Sequence, residues 1–203
     1  MTPLATFLAM TRGPLPGCPE SILDSGIRDA CIEFCQRTRL LVEDVTVDVV
    51  AGESRCDLYP DSDIAWEVRN LRRSTESLVP MNRTDFIAQH LDTRVGSPEC
   101  YYLEGDGLLA LGPIPDTAET LTATVTLRPK DTATQVHDAL YRDHRQAICA
   151  GARAWVRRHY GEWSEPRLEA EDRSLFEQAI HNQTIRRARG GANTSLRVRA
   201  HAF

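Results

Sequence analysis

The hydrophobic period of this chain changes twice, and that limits the folds open to it. After Pro19, the residues Ile22, Leu23, Ile27, Ala30, Cys31, Phe34, Thr38 and Leu41 recur at three- and four-residue intervals. This is the spacing of an apolar stripe on a helix, and it predicts a one-sided helix over 20–39. Gly26 inside it costs up to ~1 kcal/mol against alanine, so its presence points to close packing or a slight bend. From Glu43 the period becomes two: Val45, Val47 and Val49 alternate with Asp44, Thr46 and Asp48, and Ala51-Gly52-Glu53 reads as the turn of a β-hairpin. Strand-like runs follow at 64–71, 100–103, 108–111 and 121–127. Asp106-Gly107 suits a primed turn between the middle pair. Thr84-Asp85 is placed to cap a short helix running to His90.

After Pro129 the helical period returns. Val136, Leu140, Ile148, Gly151, Ala152 and Trp155 predict a helix over 132–160, roughly 43 Å long at 1.5 Å per residue. Ser164 and Pro166 open a third helix, with Leu168, Leu175, Phe176, Ala179 and Ile180 as its apolar face and Gly190-Gly191 ending it. A chain that reads helix, strands, helices is neither all-α nor all-β. The expected class is α+β: a helical bundle, made of an N-terminal helix and a long C-terminal helical hairpin, with an inserted small antiparallel β module. The boundaries fall at 1–42 and 129–189 for the helical core and 43–128 for the β module. Residues 190–203 are left as an extended basic C-terminal arm.

Charge separates that arm from the body. Of 24 basic and 29 acidic residues, five arginines and no acid lie beyond Glu177, so residues 1–177 carry 19 against 29, a formal −10. The five are Arg186, Arg187, Arg189, Arg197 and Arg199, set among glycine, alanine and small polar residues. Such asymmetry marks an interaction tail, because guanidinium forks bind carboxylates and phosphates bidentately; a solvated, frayed terminus is the plainer alternative. Lys130 is the sole lysine.

Little in the sequence points to bound metal or to catalysis. The six cysteines contain no CxxC pair and read as small buried hydrophobes of a reducing compartment. Leu15-Pro16-Gly17-Cys18 has the form of a lipoprotein cleavage box but no basic leader precedes it, and the three N-x-S/T sequons lack a secretory signal. His137 and His144 stand seven apart without an H-E-x-x-H motif, and Asp57, Asp61 and Asp63 lack the completion of a calcium loop. An acidic loop at 57–63 is instead suited to receive arginines. No phosphate loop, dinucleotide fingerprint or nucleophile elbow occurs. Trp155, Tyr160 and Trp163 have the faces to stack bases, but at a helix–helix connection they more simply lock the two helices together. No run approaches the ~20 apolar residues of a membrane span. Neither cofactor, metal nor membrane is expected.

Several segments, in order, resemble one family. Pro16-Gly17-Cys18-Pro19 leads into Ile27-Arg28-Asp29-Ala30-Cys31-Ile32-Glu33-Phe34-Cys35, similar to an R-x-A-x-I-E-F-C opening helix. Gly112-Pro113-Ile114-Pro115, Leu127-Arg128-Pro129, the stretch from Leu140 to Ala152 and Trp163-Ser164-Glu165-Pro166 follow, then the arginine-rich arm ending in His201-Ala202-Phe203. Together they resemble the head-to-tail adaptor (connector) proteins of tailed bacteriophages; residues 43–99 match in pattern more than in letters. The resemblance implies a non-enzymatic virion protein at the neck, assembled in the bacterial host cytoplasm. It implies a ring of identical subunits, twelve in number, beneath the portal. Such a ring extends the DNA channel, passes genomic DNA without reading its sequence, and offers a platform to the next neck or tail protein. Carried onto this chain, the portal-binding set is Arg186, Arg187, Arg189, Arg197, Arg199, His201 and Phe203. Two other functions fit the residues: a small DNA-binding protein gripping the duplex with its arm, and a hydrolase with an acid pair assembled in the β module.

Overall fold

The computed structural model describes residues 1–58, 63–105 and 107–189. Its fold is α+β. The described residues form helices α1 (Ala5–Arg12), α2 (Glu20–Thr38), α3 (Arg83–Ala88), α4 (Asp138–His159) and α5 (Pro166–Ala188). Their strands form two four-stranded sheets and two short pairs. In the first sheet the order is β2 (Val42–Val49), β11 (Glu119–Pro129), β4 (Asp63–Arg73) and β5 (Glu76–Ser77); in the second it is β3 (Arg55–Asp57), β9 (Leu108–Gly112), β8 (Cys100–Gly105) and β6 (Val79–Pro80). The short pairs are β1 (Thr2–Pro3) with β12 (Gln135–Val136), and β7 (Val95–Gly96) with β10 (Ile114–Pro115).

The expected first helix is present. Glu20 lies in its first turn and Arg37 in its last, each on the side the helix dipole favours. Its buried face is Leu23, Gly26, Ile27, Ala30, Cys31, Phe34, Cys35 and Thr38. Arg39 closes it in a left-handed conformation, φ 51°, and donates its backbone N–H to the Cys35 carbonyl. α4 is the central helix, and small residues let its neighbours come close. A Cβ on Gly26 of α2 would stand 3.1 Å from the Ala152 carbonyl oxygen, and one on Gly151 would stand 2.8 Å from the Phe176 ring of α5. α2 also packs on β11, and a single buried cluster runs from Phe7, Ile27 and Phe34 through Leu121, Val125 and Leu71 to Ile148 and Phe176. A smaller one, Phe86, Leu91 and Cys100, sits under α3.

Several expectations are corrected. The 43–57 stretch makes no hairpin: β2 pairs antiparallel with β11, 70 residues and more downstream, while β3 pairs with β9 in the other sheet. Ala51-Gly52 does turn the chain, but between sheets. The long helix begins at Asp138, not 132, because Gln135 and Val136 are drawn into pairing with Pro3 and Thr2; its 22 residues make it about 33 Å long. His137 consequently does not share a helix face with His144; it is the N-cap, its ring accepting from the Ala139 N–H at 3.2 Å. α1 is an addition, burying Phe7, Leu8 and Thr11. The cap of α3 is Asn82, which accepts from the Asp85 N–H at 2.8 Å, rather than Thr84-Asp85. In α5, Phe176 and Ile180 are buried, but Leu175 is 55% exposed. The strand pairing also includes two parallel contacts, β6 with β8 and β7 with β10. β8 and β9 pair antiparallel as expected, with Gly105 opposite Leu108 and Gly105 and Gly107 at positive φ, while Asp106 of the expected primed turn lies outside the described residues.

Candidate functional site

Three of the residues singled out for binding, Arg186, Arg187 and Arg189, lie at the C-terminal end of α5. Pro166 starts that helix at a position where its missing N–H costs nothing, and Arg186 and Arg187 occupy the last turn, where cations offset the dipole. Arg186 is exposed, and its charge reaches Asp143 and His144 on α4. Arg189 is the exposed C-cap, donating its backbone N–H to the Ile185 carbonyl at 3.1 Å. Arg187 turns inward instead. Its Nη1 donates to the carbonyls of Thr38 at 3.1 Å and Arg39 at 2.8 Å, satisfying acceptors that α2 leaves open at its end. Arg197, Arg199, His201 and Phe203 lie outside the described residues.

Two sets of ion pairs fix α5 in place. Arg37 of α2 donates two bonds to Glu177 at 2.7 and 2.6 Å, and Arg173 donates two to Glu33 at 3.0 and 2.8 Å. Arg37–Glu33 and Arg173–Glu177 complete a closed square across the two helices. Burial by itself raises the Glu33 carboxyl, but hydrogen bonds from Arg173 and Arg37 overcome it and hold Glu33 below its ordinary value. Glu177 is lowered by its bond from Arg37. The second set is deeper. Asp172 of α5 accepts from Arg153 Nε at 3.1 Å and from Arg157 Nη1, both on α4. The same arginines reach the Met10 carbonyl at the end of α1 and the Pro14 carbonyl just beyond it, so the triad also holds the segment that leaves α1.

The i,i+4 pairs Glu33/Arg37 and Arg173/Glu177 are visible in the sequence as helix-surface pairs; their cross-connection and the Asp172 triad belong to the tertiary fold. The aromatics at the α4–α5 connection lock it, as the simpler reading holds. Trp155 meets Tyr160 at a tilt and Trp163 meets it edge-on, and the Trp163 indole donates to the Pro16 carbonyl at 3.1 Å. All six cysteines are free, and only Cys56 is not fully buried. Burial pushes the Cys56 thiol up to about 11, so it has little thiolate character near neutral pH.

The 57–63 loop is not described as a whole: Asp57 is exposed on β3, Asp63 is buried, and Asp61 lies outside the described residues. Burial raises the Asp63 carboxyl, with His137 opposing the rise. Among the described residues no group of three or more His, Cys, Asp or Glu side chains could hold a metal ion, and no described helix is long and apolar enough to cross a membrane. A protein-family model described as SU10 adaptor protein matches residues 6–199. No curated protein matches the chain.

Proposed function

Since the chain belongs to the SU10 adaptor protein family, we propose that it is a structural, non-enzymatic protein of a phage virion: the head-to-tail adaptor at the neck. Identical copies, twelve of them, form a ring under the portal that extends the DNA channel and presents a platform to the next neck or tail protein. Genomic DNA passes through without sequence-specific contact, and the ring is put together in the bacterial host cytoplasm. The observation that carries this is the extent of the family match, residues 6–199, which takes in both four-stranded sheets, α2 to α5 and nearly all of α1.

The geometry suits the task. α2, α4 and α5 serve as the helical bundle, with α4 and α5 as its long hairpin. The Asp172 triad and the Glu33–Arg37–Glu177–Arg173 square hold it as a rigid wedge that can repeat about an axis. Arg186 and Arg189, exposed at the end of α5, begin the portal-binding set that Arg197, Arg199, His201 and Phe203 continue. Cations there pair with acidic portal surface, and the terminal aromatic fills a pocket. Twelve such contacts made together turn individually weak binding into a durable joint.

Native mass spectrometry with negative-stain imaging tests this on the chain alone and mixed with the portal protein of the same genome. Monomers alone and rings on the portal are expected; indifference to the portal overturns the adaptor role. A truncation that removes residues 190–203, and keeps Arg187 on the α2 carbonyls, is expected to lose portal binding. Unchanged binding would show that the anchor lies elsewhere.

A further inference from the structure

A second basic feature stands beside the end of α5 and does not depend on the arm. A groove of about 500 Å³ is lined by Gln36, Arg37, Thr38, Arg39, Arg69, Thr184, Arg187 and Ala188. Four of these residues are arginines and none is acidic, in a chain whose first 177 residues carry a formal −10. The nearby carboxylates stand outside the lining and are already engaged: Glu33 and Glu177 hold Arg37, and Glu67 holds Arg39 at 2.9 Å.

The remaining two arginines have capacity to spare. Arg187 spends Nη1 on the α2 carbonyls, while its Nη2 is shielded and has no hydrogen-bond partner among the described residues. Arg69 is exposed and makes no hydrogen bond or ion pair among the described residues. Its position comes from the backbone. Thr124 pairs with Asn70 and Val125 with Val68, so Arg69 is the extra residue of a β-bulge in β4. Bulges redirect a side chain out of the regular alternation, and here the redirected side chain is a guanidinium on the wall of an arginine-lined groove.

We infer that this groove docks an acidic segment of a partner protein, two or more carboxylates within a few residues, with Arg69 as the principal contact. Guanidinium forks match carboxylates two bonds at a time. Charge disfavours the other abundant polyanion: a duplex carries a far denser line of negative charge than a short segment with two carboxylates, so the acidic body repels it more strongly. The inference rests on the groove alone and holds whether or not the chain forms a ring on the portal.

The test is fluorescence anisotropy of a labelled Glu/Ser/Gly peptide, and separately of a short labelled DNA duplex, titrated with the full chain. The variants are Arg69→Glu and Arg94→Glu. Arg94 is exposed and outside the groove, so its reversal changes net charge equally. The peptide is expected to bind, with Arg69→Glu about tenfold weaker, the equivalent of ~1.4 kcal/mol, and Arg94→Glu within about twofold, since distant exposed charges are screened. Equal losses in the two variants would mean a diffuse charge effect and overturn the site, as would absence of peptide binding. A larger loss for the duplex than for the peptide would assign the groove to nucleic acid instead.

Discussion

Asp172→Ala is the most demanding test of how the helices are held. The Asp172 carboxylate is 11% exposed, and its partners Arg157 and Arg153 are 2% and 16% exposed at the side chain. Removing the carboxylate leaves Arg157 with one other acceptor among the described residues, the Pro14 carbonyl at a long 3.5 Å, and thus an uncompensated buried cation. Breaking such a pair from one side costs about 3–5 kcal/mol. For a chain of this length each kcal/mol moves the melting point by ~2–4 °C, so a fall of roughly 6–20 °C is expected. Far-UV circular dichroism through heat and urea melts reads it, with Asp143→Ala as the comparison, because the Arg142–Asp143 pair is exposed and its loss is expected to leave the melt unchanged. Replacing all three partners by apolar residues, Arg153→Met with Arg157→Met and Asp172→Leu, is expected to recover much of the loss, since the desolvation cost goes with the charges. A loss below ~1 kcal/mol for Asp172→Ala, or one equal to that of Asp143→Ala, would refute the triad as the lock between α4, α5 and the segment after α1.

Two further outcomes follow from the packing and the titration. Gly151→Ala gains ~1 kcal/mol of helix propensity but drives a Cβ to 2.8 Å from the fully buried Phe176 ring, an overpacking cost of ~1–3 kcal/mol; urea melts are expected to show a net loss of up to ~2 kcal/mol, and a clear stabilisation would contradict the contact. His144 faces the Phe34 ring at 4.7 Å, and burial lowers its pKa, with Asp143 opposing and Arg186 assisting. The fold thus prefers the neutral ring, and the stability tied to it is complete above the unfolded value of ~6.5 and lost as pH falls toward the folded one. Melts compared between pH ~7 and ~5 are expected to be flatter for His144→Phe than for the parent, and parallel curves would rule His144 out.

The helical parts of this fold are legible in the sequence because each carries its own period and stops. Ile27, Ala30, Phe34 and their neighbours announce α2 without knowledge of what they touch, and Pro166 announces α5. Pairing is not legible in that way. Val45, Val47 and Val49 have the alternation of a strand facing a core, but nothing local says that their partners are Ala123, Leu121 and Glu119 rather than residues of the next strand along. The turn at Ala51-Gly52 is compatible with either. α1 is hidden for a related reason: eight residues interrupted by Gly13-Pro14 are too short to stand alone, and Phe7 becomes a helix residue through what α4 offers, the Tyr141 ring at 5.1 Å.

The binding residues divide along the same line. Composition identifies the arginines past Glu177 as a cationic group but cannot sort them, because sorting depends on which carbonyls and carboxylates lie nearby. Arg187 stands directly beside Arg186 in sequence, yet α5 directs it to the open carbonyls of Thr38 and Arg39, where it joins the end of α2 to the end of α5. Arg69 is the converse case. In sequence it is one charge in an alternating strand, and only the bulge opposite Thr124 and Val125 makes it a free guanidinium on the wall of a groove. Charge that looks available in the sequence can therefore be structural, and charge that looks structural can be available; the assignment turns on whether an acceptor within the fold has already claimed the donor.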